Sequence, residues 1–252
     1  MKTVKHKIVV NSGIVVWVDA DEVLVHFQRL FHEHLRKHYK LKIKKNYIST
    51  EWDYSPVLPK SITIDDAMNT LPKNWTEVQE IHEGAREFML ALHEMGCRVV
   101  IITHVNEALA PGRIQNLINH GIYFDEIYFT LQHKKIDFAK KLVRRYADAE
   151  GKPVRNFFID DRAKNVVEFL QDMPNLIQGV TLDTPYNDLE KKQYGHYLNM
   201  DFTSKNQQDM YKTLLAGVRE RLKEEADASE LAKAPKKKVS KKTKKKSQTK
   251  KK

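Results

Sequence analysis

Four short polar clusters punctuate this chain where an open sheet of alternating strands and helices would expose them together. Asp19 and Asp21 follow the apolar run Ile14 to Val18, Thr103 closes the run Arg98 to Thr103, and Asp160 and Asp161 follow Asn156 to Ile159. Lys134 and Lys135 open a helix-patterned stretch ahead of the last of these runs. Taken singly, each cluster has an ordinary reading: Asp-x-Asp as a turn, Asp-Asp as a helix cap, Lys-Lys as a solvated pair. Taken jointly, they set four carboxylates against one or two ammonium groups at one sheet edge, and like charges that close repel strongly. Such a cluster calls for a divalent cation, and hard oxygen donors point to magnesium.

The elements that must position these groups are legible as periodicity. Five β-rich apolar runs recur at Ile14 to Val18, Arg98 to Thr103, Glu126 to Phe129, Asn156 to Ile159 and Gly179 to Leu182. Between and around them lie stretches with apolar residues three and four apart: Leu24 to His38, Gly84 to Met95, Ala108 to Asn119, Ile136 to Ala147 and Ala163 to Gln171. This alternation predicts a parallel sheet flanked by helices, an α/β fold whose ligands gather at the carboxyl ends of the strands. Residues 4–13 are expected to add a small strand, and residues 207–225 a final amphipathic helix. About eighty residues separate the first two strands, far more than one crossover needs. The excess predicts an inserted small helical cap over residues 25–82, with a helix near Ile62 to Leu71. The core is then residues 1–24 with 83–232, and residues 233–252 form a disordered Lys-rich tail.

Charge divides the chain in the same way. The 252 residues carry 44 Lys and Arg against 33 Asp and Glu, and twelve of those Lys lie in the last twenty residues. The remaining body is close to neutral, which excludes a broadly basic folded surface. The tail resembles both nuclear-import sequences and basic arms that hold nucleic acid through sequence-independent phosphate contacts. Cys97 is the single cysteine, which excludes an internal disulfide framework and any multi-cysteine zinc site. No apolar run approaches the roughly twenty residues a membrane span needs. The reading is a cytoplasmic protein, with nuclear or nucleoid association through the tail. The four His at positions 26, 32, 34 and 38 supply only one helical i, i+4 pair, His34 with His38, and no third ligand, so they read as surface or core-edge groups rather than a zinc site.

The motif strings "WVDADEVL", "VVIITH", "HKKIDFAKKL" and "NFFIDDRAKN" resemble the four motifs of the haloacid dehalogenase (HAD) superfamily, in order and at the expected element ends. The resemblance spans roughly residues 14–190 and implies a Rossmann-like HAD core with magnesium-dependent phosphatase chemistry. By it, Asp19 is the nucleophile that takes the phosphoryl group and Asp21 the general acid and base. Thr103 hydrogen-bonds the phosphoryl oxygens, and Lys134 or Lys135 neutralises them. Asp160 holds magnesium beside Asp19 and Asp21, the latter through its backbone carbonyl, while Asp161 and Asn165 support the loop. Of the two lysines, Lys135 is favoured, because Phe138, Ala139 and Leu142 follow it at three, four and seven residues and direct it inward.

The insertion's place, the string "GVTLDTPYN" and the helix "HEGAREFMLALHEMG" are similar to the 5′(3′)-deoxyribonucleotidase group. That resemblance implies nucleoside monophosphate substrates, with Trp75, Trp52 and Tyr54 in the cap as candidates to stack on a base; the alternative is that they form the cap's own core, and Trp75 suits either equally. Two residues depart from the group: Glu22 stands where glycine is usual and His104 where serine is usual. "DADEVLVHF" looks more like the first motif of small phosphoprotein phosphatases. Rival readings are therefore a phosphoprotein phosphatase, a nucleic-acid 3′-end phosphatase, and a catalytically weak HAD-fold binding module.

Overall fold

The computed structural model describes residues 12–130, 133–194 and 203–233. The tail beyond Lys233 and most of the strand expected over residues 4–13 lie outside them; Ser12 is a bend and Gly13 is irregular. The strands are β1 (Ile14–Val18), β2 (Arg98–Thr103), β3 (Glu126–Phe129), β4 (Arg155–Ile159), β5 (Leu176–Leu182) and a two-residue β6 (Thr203–Ser204). They form one sheet in the order β3-β2-β1-β4-β5-β6, and every pairing is parallel.

A parallel sheet is covered on both faces, so its central strands are apolar at every position rather than at alternate ones. The two faces still separate by the strand period of two. Ile14, Val16 and Val18 pack with Val99 and Ile101 in one core cluster, where α3 (Ala85–Glu94) and α8 (Gln207–Lys233) supply Phe88, Met89, Met210, Leu214 and Val218. Val15 and Trp17 face the other way with Val100, Ile102 and Phe158, against α5 (Lys135–Glu150) and α6 (Ala163–Asp172). Trp17 is fully buried, and its indole N–H donates to Asn156 Oδ1 at 2.9 Å, so the one polar atom it brings inside is satisfied. The helix α4 (Ala110–Asn119) follows a single 3-10 turn at Glu107–Leu109, and α7 (Asp188–Tyr194) follows another at Pro185–Asn187.

Two helices depart from the periodicity. The first, α1, runs Phe27–His38 and not from Leu24, because Ala20 to Val25 are committed to a tight turn. Ala20 C=O accepts from the N–H of both Leu24 and Val25, at 2.8 and 3.0 Å, and Glu22 N–H donates to Val25 C=O at 2.8 Å. Glu22 takes φ +55° there, the left-handed region where glycine is the unstrained choice. Its carboxylate accepts the Gln28 N–H at 2.7 Å, capping α1 from six residues upstream. The last helix, α8, continues to Lys233, past Leu222, where its apolar stripe ends. Ala, Glu and Lys carry it on by propensity, with Arg221 ion-paired to Glu224 at 2.6 Å.

The inserted residues build a third cluster, separate from the other two: Phe27, Phe31, Leu35, Ile43, Tyr54, Leu58, Ala67 and Trp75. Its regular helix is confined to α1 and to α2 (Ile64–Asn69), which Thr63 and Asp66 start with a reciprocal capping box; turns and extended segments make up the rest. The two connections to the sheet run side by side, with His26 N–H donating to Glu80 C=O and His82 N–H to Leu24 C=O, each at 2.9 Å.

Candidate active site

The chain order on either side of β1 reverses direction, since β2 and β3 lie to one side and β4 and β5 to the other. Ligands of open α/β sheets bind at this switch point, beyond the carboxyl ends of the strands. Asp19 follows β1 there and Asp160 follows β4. The Asp19 N–H donates to Ile159 C=O at 2.9 Å, which extends the β1–β4 ladder by one residue and sets the two side chains together.

Lys135 joins them. Its Nζ lies 2.7 Å from Asp19 Oδ1 and 2.7 Å from Asp160 Oδ2. The residue opens α5 on the same stripe as Ala139, Leu142 and Tyr146, which are buried against the sheet, so the helix phase alone aims it inward. One position earlier, Lys134 is exposed and pairs with Glu168 at 2.8 Å. Burial works against the Lys135 charge, but the Asp160 and Asp19 carboxylates outweigh it and hold its pKa above the ordinary value.

Asp160 is fully buried and fully engaged. It accepts from Lys135, from the Arg162 N–H at 2.9 Å, and from Asn165 Nδ2 at 2.9 and 3.1 Å. Asp161 is equally buried and is held by the "PYN" segment: Tyr186 O–H donates to its carboxylate at 2.7 Å, and Asn187 Nδ2 donates to its carbonyl at 2.6 Å. The other carboxylate oxygen, Oδ1, has no partner among the described residues. Burial first, and then Asp160 and Asp19, push the Asp161 pKa well up. For Asp19 burial leads again; the Lys135 charge opposes it, Asp160 and Asp21 add to it, and the result is about 7.

Oxygens of Asp19, Asp160 and Asp161 lie within 4.8 Å of one another, a buried acidic group that could hold a metal ion. The fit is chemical as well as spatial, because the donors are all hard oxygens, one lone oxygen on Asp161 is unpaired, and three carboxylates face one ammonium. The Asp21 carboxylate is not in this group. It is turned to Arg113, whose Nη2 lies 2.6 Å from its Oδ1. Thr103 is buried at the end of β2, and its hydroxyl has no partner among the described residues.

A cavity of about 480 Å³ opens over these groups and reaches the inserted segment. Asp19, Asp21, Lys135, Asp161 and Asn165 form its floor, Trp52, Tyr54, Phe27 and Met68 its far wall, and His104, His133, Arg162 and Lys164 further sides. The Arg162 guanidinium lies 4.8 Å from the Trp52 ring centroid, bridging floor and wall by a cation–π contact. Trp75 does not line the cavity. It is buried edge-to-face against Phe27, with ring centroids 5.2 Å apart, inside the insertion's own cluster. Tyr54 does both, lining the cavity while its ring edge meets Phe31. Burial, then Lys135, keep the His104 imidazole pKa below its ordinary value, and its Nδ1 lies 3.4 Å from Thr130 Oγ1. Sequence reading did not single out Arg113, Arg162 or the Tyr186–Asn187 support as parts of the site.

No protein-family model and no curated protein matches the sequence. Solved structures do match. A phosphonoacetaldehyde hydrolase-like protein from Oleispira antarctica is 11% identical, with 88% of this chain and 98% of that chain covered and a TM-score of 0.54. A protein described as haloacid dehalogenase-like hydrolase, from Burkholderia xenovorans LB400, is 14% identical over 80% of this chain and 98% of that chain, with a TM-score of 0.50. The chain therefore has the fold of the HAD-like hydrolases, and its buried acidic group lies at that fold's switch point. Among the described residues no helix is long and apolar enough to cross a membrane.

Proposed function

We propose that the protein is a magnesium-dependent phosphomonoester hydrolase acting through an aspartyl-phosphate intermediate. The observation that carries the reading is the Lys135 ammonium, 2.7 Å from both Asp19 and Asp160 beneath a cavity, with the Asp161 carboxylate beside them. A carboxylate attacks a phosphate dianion only when their mutual repulsion is screened, and this arrangement gathers the screening charge at the attacking group. Asp19, Asp160 and Asp161, with the Asp21 backbone carbonyl, would hold the magnesium ion, which neutralises charge on the phosphoryl oxygens when bound. Asp19 bonds to phosphorus, Lys135 and Thr103 steady the equatorial oxygens, and Asp21 gives its proton to the departing alcohol. Asp21 then takes a proton from the water that cleaves the aspartyl phosphate.

The substrate we favour is a small monoester of the nucleoside monophosphate class, such as a 5′(3′)-deoxyribonucleotide. In support, residues 25–82 act as a cap that walls the cavity, and Trp52 is among the residues that line it, an aromatic ring being a surface on which any base can stack. A cavity walled in this way suits a small molecule better than a phosphoprotein loop. The screen that tests this compares nucleotides, sugar phosphates and phosphopeptides with magnesium and with excess chelator. Magnesium-dependent release of phosphate, greatest from nucleotides, is the expected result. Equal turnover in chelator overturns the metal assignment, and preference for phosphopeptides overturns the substrate class.

A further inference from the structure

Arg113 is a buried cation outside the phosphate-facing set. It is wholly inaccessible on α4, and its Nη2 donates to Asp21 Oδ1 at 2.6 Å and to Gln79 Oε1 at 2.7 Å. Its Nε and Nη1 have no partner among the described residues. A buried guanidinium with two unpaired donors is a poor device for stability, where an apolar side chain of like volume usually does as well or better.

What it touches on the other side is the last stretch of the insertion, and that stretch is clamped to α4. Asn116 Nδ2 donates to the carbonyls of Glu77 and Gln79 at 2.8 and 2.7 Å, and Thr76 O–H donates to Leu109 C=O at 2.7 Å. Gly112 lies where a Cβ would come within 2.7 Å of Thr76 Oγ1, so α4 must lack a side chain there for the segment to seat. Among the described residues, Arg113 thus joins the seated insertion, through Gln79, to Asp21.

We propose that Arg113 is a positioning residue: it fixes the Asp21 carboxyl group for proton transfer to the leaving oxygen, and it does so while Thr76 to Gln79 rest on α4. The proposal rests on the phosphatase reading above. As the Asp19 oxygen bonds to phosphorus, the bond from phosphorus to the leaving oxygen breaks and its electron pair passes to that oxygen. The oxygen takes the Asp21 proton and departs as the alcohol, leaving a carboxylate that faces the Arg113 charge. The contact at Oδ1 fixes the rotation of the Asp21 carboxyl group and with it the direction in which Oδ2 points.

A series of leaving groups separates this role from a structural one. An alkyl alcohol needs protonation to leave and 4-nitrophenolate does not, so loss of aligned proton transfer must fall on the alkyl ester. For the full chain with magnesium, kcat/KM is measured on 4-nitrophenyl phosphate and on the best alkyl or nucleoside monophosphate, for wild type, Arg113→Met, Arg113→Lys and Gln79→Met. Arg113→Met is expected to lose about 100-fold on the alkyl ester and less than about ten-fold on the aryl ester. Arg113→Lys should recover part of the difference, and Gln79→Met should show the same bias more weakly. In an Asp21→Asn background Arg113→Met should cost no more than about two-fold. Equal losses on both esters, or full losses that multiply in the double variant, overturn the proposal. If Arg113→Met fails to fold, Arg113→Lys and Gln79→Met decide it by the same ratio. A wild-type chain that hydrolyses neither ester sinks the phosphatase reading itself, which distinguishes the two failures.

Discussion

Replacing Glu22 with glutamine isolates the energetic consequence of a carboxylate where the resembled nucleotidase group carries glycine. Glu22 is tucked under the start of α1, and burial, only partly offset by the Gln28 and Phe27 N–H groups, pushes its pKa from the ordinary 4.5 to about 7. His82 does not balance it, although its Nε2 is 3.9 Å from Glu22 Oε2. Burial, then His26, lower the His82 pKa to about 3, so the imidazole beside Glu22 is neutral at physiological pH. The folded chain therefore binds the Glu22 proton more tightly than the unfolded one. The associated stability is intact below pH 4.5 and is lost as pH rises through about 7. At 1.36 kcal/mol per unit, the loss approaches ~3 kcal/mol by about pH 8. Glutamine keeps an oxygen for the Gln28 N–H and has no charge to bury, while His82 titrates alike in both proteins and cancels. Glu22→Gln should match wild type near pH 4.5 and exceed it by ~3 kcal/mol near pH 8, which is roughly 6–12 °C in Tm for a chain of this size. Denaturant melts across that range measure the difference directly. Parallel stability curves, or a variant weaker than wild type at high pH, would refute the reasoning.

Lys135→Met should cut kcat/KM by more than about 100-fold and lower Tm, because it strands two buried carboxylates, whereas Lys134→Ala should stay within about two-fold of wild type. Steady-state kinetics with calorimetry of both variants checks the pair. Trp75→Ala should lose about 3–5 kcal/mol of stability by denaturant melts, as a buried aromatic against Phe27. Trp52→Ala, 39% exposed on the cavity wall, should instead raise KM for nucleotides several-fold, about as general binding arguments suggest, with little change in Tm. Deleting residues 236–252 should abolish low-salt binding to DNA or RNA in a filter or anisotropy assay, while kcat on a mononucleotide is unchanged; retained binding with the same salt slope would assign the contact to the body.

The central strands were legible because burial on both faces leaves a continuous apolar run, as in Ile14 to Val18 and Arg98 to Thr103. That Lys135 and not Lys134 faces inward was legible too, since a helix phase set by Ala139 and Leu142 fixes it. What periodicity could not reveal is where a backbone is diverted before its pattern ends. Leu24 fits the apolar phase of α1 but belongs to a turn, and α8 outruns its apolar stripe on propensity alone. Contacts between distant segments were beyond reach for a different reason. Arg113 meets Asp21 across 92 residues, and Tyr186 meets Asp161 across 25, with no local pattern to announce either. Trp75 illustrates the remaining ambiguity: an aromatic in an insertion is compatible with a wall or a core, and only the packing against Phe27 distinguishes them.

On the proposed mechanism the Asp19 carboxylate becomes covalently phosphorylated during turnover. Acid-quenching the full chain within a single turnover of its best substrate, then mapping the phosphoryl group by peptide mass spectrometry, tests it most directly. Phosphate is expected on the peptide that carries Asp19 and is absent from Asp19→Asn; with 4-nitrophenyl phosphate, whose leaving group needs no proton, it accumulates further in Asp21→Asn, where the water-activating group is lost. Turnover without any adduct, together with an Asp19→Asn chain that keeps a rate close to wild type, would contradict it.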